Sequence, residues 1–415
     1  MASIGDVVFY ILVFLSVYVQ VFFFVTFLEN RKKIIIRKGK VILQHYSSVT
    51  ITVPCFNEEH TVEKTVHSLL NLNYPKDKLQ IFLIDDGSTD NTPKIINKFS
   101  NYSNIKVFHK KNGGKYTALN LALENSQTDF FGGLDADSMA DPESLIRIMS
   151  YFEKDPAIMA VAPSIVAINS KSIVQKAQKA EYEMVSVYVK KMLGFLGAIH
   201  VTPGPLTIFR RKVFRDLGPY RHAHNTEDME IAYRMQKNHY KIEQCNDAIV
   251  YTNTPATIVK LYKQRVRWIY GFMNNTLDYR KMLFKKQYGN FAFFTIPTSV
   301  VSIFAICYLF AKMAYNIGNF LFSKILQFKS LGFQTTSQSH FLDPFFINTP
   351  FFIFLVFVSY FFVILSIMIG KRMTEGKWKF SFNMIYFLVI FSIASPFWLM
   401  KAVLNTVLQR RPAWR

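Results

Sequence analysis

Cysteine is scarce in this chain of 415 residues, which contains 3 of them: Cys55, Cys245 and Cys307. They are odd in number and far apart, so neither a disulfide framework nor a zinc site of the usual spacing is indicated. Free thiols of this kind are typical of a cytosolic domain. The chain also lacks zinc-finger spacing and the aromatic signature of RNA-binding modules. Its net charge of +21 therefore does not predict nucleic-acid binding.

Charged residues are nearly absent from 7–28 and from most of 289–405. An apolar stretch of about 20 residues can cross a bilayer as a helix. The first stretch lacks a small-residue cleavage site and its basic residues follow it, which favours a retained anchor over a signal peptide. We therefore predict an N-terminal transmembrane helix in 1–30 and C-terminal transmembrane helices in 289–415. Within the latter region, the predicted spans are 290–322, 345–370 and 380–404.

Basic residues directly follow the first span: Arg31, Lys32, Lys33, Arg37, Lys38 and Lys40. By the positive-inside rule this flank is cytoplasmic and the N-terminus lies outside. Further basic clusters at 260–286 and 371–379 suit anionic lipid headgroups or an anionic small substrate. Four crossings would put the basic end 409–415 outside, against the same rule. Either Pro396 breaks the last span into a re-entrant hairpin, or the charge rule yields here.

The region 41–255 has globular composition and alternates strand and helix patterns. Short runs rich in β-branched residues occur at 48–54, 79–85, 104–109 and 129–135. This alternation predicts an α/β domain with a Rossmann-like, mainly parallel sheet that is covered on both faces. Ligands of such sheets bind beyond the carboxyl ends of the strands. Three of the runs are followed there by polar clusters.

The first two clusters are Asn57-Glu58, after the first run, and Asp85-Asp86, after the second. Asp85 and Asp86 fit a turn and helix cap. They equally fit a contact with a nucleotide, for which Gly87 would permit close approach of the backbone. Both interpretations stay open.

The third cluster is Asp135-x-Asp137, after the fourth run. Its carboxylates are either solvated or bind one hard cation that also grips a diphosphate. Lys115 follows Gly113-Gly114 at the start of a predicted helix, where it is either a solvated loop lysine or part of an anion site.

Thr226-Glu227-Asp228 begins an amphipathic helix. These residues fit an N-cap followed by acidic residues that the helix dipole favours. A carboxylate at this position beside an acceptor pocket can also take a proton from a hydroxyl group. The two interpretations are compatible.

Gln264-Arg265-Val266-Arg267-Trp268 lies in 256–288, which we predict to form amphipathic interfacial helices. Such a basic helix lies on lipid headgroups, with Trp268 as an interfacial anchor. Gln264, Arg267 and Trp268 also share one helical face. There Arg267 can hold a diphosphate while Trp268 stacks on a sugar. We expect both roles together.

The order of these motifs, from Val53-Pro54-x-x-Asn57-Glu58 to Gln264-x-x-Arg267-Trp268, resembles family 2 glycosyltransferases of the processive membrane type. Cellulose, hyaluronan, chitin and poly-N-acetylglucosamine synthases belong to that family. The resemblance covers about 48–271. It implies an α/β GT-A fold for a cytosolic domain, a nucleotide-sugar donor that is usually UDP-linked, a Mg²⁺ or Mn²⁺ ion, and inversion at the anomeric carbon.

The same resemblance implies roles for single residues. Asp228 would be the general base, within a catalytic group completed by Glu227 and Thr226, and Asp135 and Asp137 would hold the metal. The substrate-binding residues would be Pro54, Asn57, Glu58, Asp85, Asp86, Lys115, Gly204, Pro205, Gln264, Arg265, Arg267 and Trp268.

We therefore expect an inverting glycosyltransferase of the cell membrane, with its catalytic domain in the cytoplasm, that extends a β-linked polysaccharide and passes it through its own spans. Its partners would be the nucleotide sugar, a saccharide acceptor and the bilayer, without nucleic acid. One alternative is transfer of a single sugar to a polyprenyl phosphate or other lipid. Another is a catalytically silent membrane module. Thr226-Glu227-Asp228 resembles cellulose and poly-N-acetylglucosamine synthases, whereas Gly204-Pro205-Leu206 resembles hyaluronan synthases, so the sugar stays open.

Overall fold

The structure is a computed structural model that describes residues 4–34, 39, 41–331 and 349–412. Helix α1 (Ile4–Asn30) precedes an α/β region. The strands of that region are β1 (Val49–Cys55), β2 (Leu79–Asp85), β3 (Ile105–His109), β4 (Phe130–Gly133), β5 (Ser138–Ala140), β6 (Ile158–Ile168), β7 (Ile208–Arg210) and β8 (Lys241–Asn253). Its helices are α2 (Val62–Leu70), α3 (Thr92–Asn97), α4 (Lys115–Asn125), α5 (Ser144–Lys154), α6 (Ile173–Tyr182), α7 (Lys190–Phe195), α8 (Lys212–Leu217) and α9 (Glu227–Lys237).

Five further helical elements are longer or irregular. A π-helical segment, Glu183–Val189, joins α6 to α7. Helix α10 (Ile258–Asp278) follows β8. Beyond it lie α11 (Ile296–Leu331), α12 (Thr349–Glu375) and α13 (Asn383–Val407).

One sheet of 8 strands, in the order β3-β2-β1-β4-β7-β6-β8-β5, forms the centre of the described α/β region. β1 lies parallel to β2 and to β4, with Ile51 opposite Ile81 on one side and Gly132 on the other. The four runs predicted from the sequence make up this parallel half. In the other half β6 and β8 are parallel, but β7 and β5 are antiparallel to their neighbours. Each of these two strands has 3 residues, too few for a periodic pattern to reveal them.

Both faces of the sheet are buried, which explains why β1 and β2 are apolar along most of their length. Successive residues of a strand point to opposite faces. In β2, Ile81 and Leu83 pack with side chains of α2 and α5, whereas Phe82 and Ile84 pack with side chains of α4. The predicted α/β architecture with helices on both faces is confirmed.

In the described part of the chain, 4 helices are long and apolar enough to cross a membrane: Val7–Asn30, Phe291–Lys329, Phe354–Glu375 and Asn383–Val407. They overlap the four predicted spans. Residues 345–348 of the third predicted span lie outside the described residues, as do Arg37, Lys38, Lys40 and 413–415 of the predicted basic flanks.

Pro396 lies inside α13, which continues without interruption from Asn383 to Val407. A re-entrant hairpin at this proline was one of two alternatives for the last span, and it is wrong. A proline removes one backbone hydrogen bond, but neighbouring helices let such a helix continue. Trp398 and Leu399, just after the proline, pack in a buried cluster with Val266 of α10.

Helix α12 packs closely against the α/β region at Gly370. A Cβ at this position would overlap the carbonyl oxygen of Glu183, at the start of the π-helical segment. Next to this contact, Ile369 packs with Val187 and Tyr188 in one buried cluster. Only glycine lets the two backbones approach this closely, so this contact fixes α12 against the α/β region.

We predict that Gly370→Ala lowers the free energy of unfolding by about 1–3 kcal/mol, because the added methyl group must displace backbone atoms. Gly318→Ala in α11 is the matched control, since a Cβ there meets nothing within 4 Å. Alanine also has the higher helix propensity, so the control should be neutral or slightly stabilising. Thermal unfolding of the detergent-purified variants measures both effects, and equal midpoints would contradict the prediction.

Candidate active site

A crevice lies at the carboxyl edge of β2, β1 and β4. These strands end side by side because β1 pairs in parallel with both others. The loops after them carry the three predicted clusters, Asn57-Glu58, Asp85-Asp86 and Asp135-x-Asp137. Sheets of this kind bind ligands at this edge. The partners of each side chain decide which of them remain available to a ligand.

Asn57 and Glu58 connect the first loop to its neighbours. Asn57 has φ 55°, its backbone N–H donates to Ser88 Oγ at 3.0 Å, and its Oδ1 accepts from the Thr89 N–H at 2.8 Å. Glu58 Oε2 accepts from Thr61 Oγ1 at 2.7 Å. These side chains thus organise the loops, and their contact with a substrate stays a prediction.

Asp85 stabilises the second loop. Its Oδ1 accepts from the Ser88 N–H at 3.0 Å, and its Oδ2 lies 3.3 Å from His109 Nδ1. Gly87 has φ 75°, and a Cβ there would lie 2.7 Å from Asn112 N. The close approach that this glycine permits is therefore to another loop of the protein in this structure.

Asp86 holds the turn that leads into α4. Its Oδ1 accepts from Lys110 Nζ at 2.6 Å and from the Gly113 N–H at 3.0 Å, while its Oδ2 accepts from the Gly114 N–H at 2.9 Å. Lys110 was not among the predicted site residues. The two adjacent lysines, Lys110 and Lys111, just before the glycine turn could have indicated a basic residue at this edge of the sheet. Since the turn ends at Lys115, Asp86 sets the position of that lysine.

Lys115 brings two of the predicted motifs together. Its Nζ donates to Asp135 Oδ1 at 2.5 Å and lies 3.7 Å from Glu227 Oε1. Burial alone would lower the pKa of Lys115, but Asp135, Glu227 and Asp228 together raise it above its usual value. The lysine therefore stays charged. A Cβ at Gly204 would lie 2.6 Å from Nζ and 3.0 Å from Asp135 Oδ1, so a side chain at this position would force this ion pair to shift.

Asp228 is a half-buried carboxyl group with a raised pKa. Burial first, then the nearby Glu227 and Asp135, raise the pKa of Asp228 to about 6, while Lys115 and Arg267 act in the opposite direction. Groups with a pKa shifted toward neutrality in a cleft are frequently acids or bases of a reaction. Asp228 can therefore exchange a proton at physiological pH.

Asp135 and Asp137 fit a divalent cation by their chemistry. Burial, then the charges of Asp135 and Glu58, raise the pKa of Asp137 to about 6. A bound cation would relieve this crowding of carboxylates, and oxygen ligands suit Mg²⁺ and Mn²⁺. The described residues contain no group of 3 or more His, Cys, Asp or Glu side chains placed to hold a metal.

The side chains of the motif Gln264–Trp268 on α10 point to different sides of the helix. Arg265 is buried, its Nη2 donates to Glu181 Oε2 at 2.6 Å, and its guanidinium lies 4.3 Å from the centre of the Trp268 ring. Arg267, in contrast, lowers the pKa of Asp228 through its positive charge. Gln264 Oε1 is buried and has no hydrogen-bond partner among the described residues. Arg265 was predicted to bind substrate, and that role stays a prediction. Its contacts with Glu181 and Trp268 suit a role in orienting the Trp268 ring.

A small pocket lies among these elements. The predicted residues that line it are Pro54, Lys115, Asp135, Gly204, Glu227 and Asp228. Thr202, Pro203 and Tyr220 also line it and were not predicted. Thr202 lies two residues before the predicted residue Gly204, and this closeness in the sequence could have identified it. Its N–H and Oγ1 donate to the carbonyl oxygen of Asp228 at 3.1 and 2.8 Å. Tyr220 lies outside every motif and had no such signal.

The remaining predicted residues do not line this pocket. They are Thr226, Asn57, Glu58, Asp85, Asp86, Asp137, Pro205, Gln264, Arg265, Arg267 and Trp268. Pro205 is buried next to Gly204. Their predicted roles toward a substrate stay predictions.

The doubly wound sheet and the acidic crevice at its edge define an α/β domain of the GT-A type, joined to helices that can span a membrane. Residues 50–218 match the family model described as glycosyl transferase family 2. This part of the chain is therefore similar to the glycosyltransferases that the model describes.

Curated relatives match over about half of the chain. A poly-beta-1,6-N-acetyl-D-glucosamine synthase from Staphylococcus epidermidis is 32% identical over 229 residues, which is 55% of this chain and 55% of the relative. A synthase of the same name from Staphylococcus aureus (strain COL) is 31% identical over 236 residues, 57% of each chain. The matched region thus spans about half the length of these relatives.

A solved structure shares the fold across nearly the whole chain. It is a mannosyltransferase from Pyrobaculum calidifontis, solved in complex with GDP-Man and Mn²⁺. The TM-score is 0.61 with 14% sequence identity, and the likeness covers 96% of this chain and 99% of that chain. At this identity the likeness concerns the fold alone, and it agrees with the predicted GT-A fold.

We predict that Lys115→Met destabilises the protein by about 1–3 kcal/mol at pH 7.5, because partly buried carboxylates lose their cation. Lys115 lowers the pKa of Asp228, so without the lysine this pKa, already raised in the folded state, rises further. The loss should therefore shrink as the pH falls toward 5, where Asp228 becomes protonated. Thermal unfolding at the two pH values checks this. Lys111→Met, at an exposed position, is the control, and a loss independent of pH would contradict the prediction.

Proposed function

We propose that this chain is a membrane-embedded inverting glycosyltransferase that moves a sugar from a UDP-linked donor to a growing β-linked polysaccharide. The observation that carries the proposal is the ion-paired group in which Lys115 joins Asp135 to Glu227, the residue next to Asp228. It links the strand edge expected to hold the donor to the helix that carries the expected base. The 31–32% identity to poly-beta-1,6-N-acetyl-D-glucosamine synthases supports N-acetylglucosamine as the first sugar to test.

The proposed reaction is an in-line displacement at the anomeric carbon. A bond forms between the acceptor hydroxyl oxygen and this carbon, the bond to the diphosphate oxygen breaks, and the hydroxyl proton passes to Asp228. A pKa of about 6 leaves Asp228 mostly ionised at pH 7.5 while keeping it basic enough for this step. Lys115 and Arg267 supply positive charge for the departing diphosphate. No protein nucleophile is required.

In this proposal Asp135 and Asp137 would hold Mg²⁺ or Mn²⁺. A bound ion would supply positive charge to offset the negative charge of the leaving diphosphate. Lys115 already contacts Asp135, so it would lie beside the same diphosphate. The chain's own carboxylates thus divide into a metal pair and a base.

The acceptor would lie on the side of the crevice that faces the membrane helices. Trp268 offers a ring for a sugar, and the Arg265–Glu181 ion pair behind it keeps that ring in place. Helix α10 packs on α13 through Val266 and Trp398. With the catalytic domain in the cytoplasm, this arrangement supports passage of the polymer from Trp268 into the spans.

The direct test uses the full chain in nanodiscs with a panel of radiolabelled nucleotide sugars and Mg²⁺ or Mn²⁺. We expect high-mass polymer from UDP-N-acetylglucosamine or a related donor, and loss of synthesis in EDTA with recovery on adding the ion. Short product that extracts with lipid would favour single transfer to a lipid carrier. If no donor releases a nucleoside diphosphate, the proposed activity is wrong and the silent module is favoured.

We predict that Asp228→Asn lowers the rate constant kcat by about 10²–10⁴-fold, the usual contribution of a general base. In the parent protein, log kcat should rise with pH and level off above about 6, as Asp228 loses its proton. This acidic limb should disappear in the variant while donor binding is retained. Glu124→Gln, an exposed carboxylate on α4, is the control. Turnover of Asp228→Asn near the parent rate would mean that Asp228 is only part of a helix start.

A further inference from the structure

The segment just before Asp228 has an unusual backbone. Ala223, His224 and Asn225 have φ values of 42°, 55° and 62° in succession. Such positive values are uncommon for residues other than glycine and persist only where surrounding contacts hold them. Thr226 follows at once and begins α9, so the conformation of this segment decides where Asp228 lies.

Helix α10 supplies contacts that hold the segment. Asn275 is fully buried, and its Nδ2 donates to Thr226 Oγ1 at 2.9 Å and to the carbonyl oxygen of Gly271 at 2.9 Å. Thr226 Oγ1 in turn donates to the carbonyl oxygen of Ala223 at 3.0 Å. The side-chain amide thereby joins the helix to both ends of the left-handed turn.

Gly271 makes this joint possible by having no side chain. A Cβ there would overlap Oγ1 and Cγ2 of Thr226 and would lie 2.9 Å from its Cβ. One further contact ties down the turn, since His224 Nε2 lies 2.9 Å from Asp278 Oδ2 near the end of α10. The segment therefore rests on α10 at three positions.

The same helix carries Arg267 and Trp268. Arg267, Gly271 and Asn275 are spaced by four residues and so lie on one face of α10. Across this face a single rigid element connects the group expected to meet the diphosphate with the turn that precedes the expected base.

We propose that Gly271 and Asn275 are positioning residues, which hold Asp228 at a fixed distance from Arg267 through their contacts with Thr226. This inference rests on the proposed glycosyl transfer. The two residues touch neither donor nor acceptor, so their loss should affect the chemical step and spare donor binding.

The first test compares Asn275→Ala with Asn274→Ala in the full chain in nanodiscs. Asn274 is the matched control because it is adjacent on α10 but donates to the carbonyl oxygen of Tyr270 at 2.8 Å and faces Thr406 of α13. We expect Asn275→Ala to lower kcat on the order of 100-fold with an unchanged donor KM, since small displacements of a catalytic group cost about this much. Asn274→Ala should stay close to the parent rate, because its hydrogen bonds go to Tyr270 and Thr406 and not to the turn before Asp228.

A second variant protects the test against poor folding. Gly271→Ala disturbs the same contact from α10, because the added methyl group would overlap the side chain of Thr226. It should give the same fall in kcat with the same donor KM. If the parent transfers sugar and both variants match Asn274→Ala in kcat, the inference is overturned while the proposed function stands.

Hydrogen–deuterium exchange separates failure of the inference from failure of the proposed function. In Asn275→Ala we expect faster exchange confined to the amides of 223–229, with the parent rate elsewhere. This readout needs no turnover, so it decides the inference even if the parent protein transfers no sugar. Unchanged exchange in 223–229 would overturn it.

Discussion

The ammonium group of Lys115 holds together carboxylates that would otherwise repel one another. Asp135 follows β4 and Asp228 lies in α9, far apart in the chain. The negative charges of both carboxylates raise the pKa of this one lysine. In a partly buried site the repulsion between such groups is large, and a single cation at short distance offsets it. Lys115 itself depends on the turn at Gly114, which Asp86 holds. The acidic crevice is thus built by a series of contacts that runs from β2 through α4 to α9.

Close backbone approach connects this series to the membrane helices. At Gly271 helix α10 meets Thr226, and at Gly370 helix α12 meets Glu183. Each contact joins two elements that are distant in the sequence, and a single methyl group at either glycine would displace them. Tight packing of this kind transmits displacements instead of absorbing them.

Much of this architecture follows from patterns that a sequence displays. The apolar runs of β1 and β2 and the four long apolar stretches are periodic or continuous, and strand ends in a parallel sheet share one edge. The sequence could not reveal which partner each polar residue selects. Asp86 accepts hydrogen bonds from the glycine turn, and its contact with a nucleotide stays a prediction. Tyr220 and the left-handed turn at Ala223 depend on packing between distant elements, which no local pattern encodes.

The two arginines of the α10 motif illustrate the same limit and its physical reason. Arg265 and Arg267 are two positions apart, so they point to nearly opposite sides of a helix. Arg265 is buried against Glu181, and burial raises the pKa of that glutamate although Arg265 opposes the shift. A buried pair of this kind adds little net stability, but removing either partner would leave an uncompensated charge. The pair therefore fixes the rotation of α10 about its axis. That rotation keeps Arg267 near Asp228, and it leaves Trp268 stacked on Arg265 beside the membrane helices.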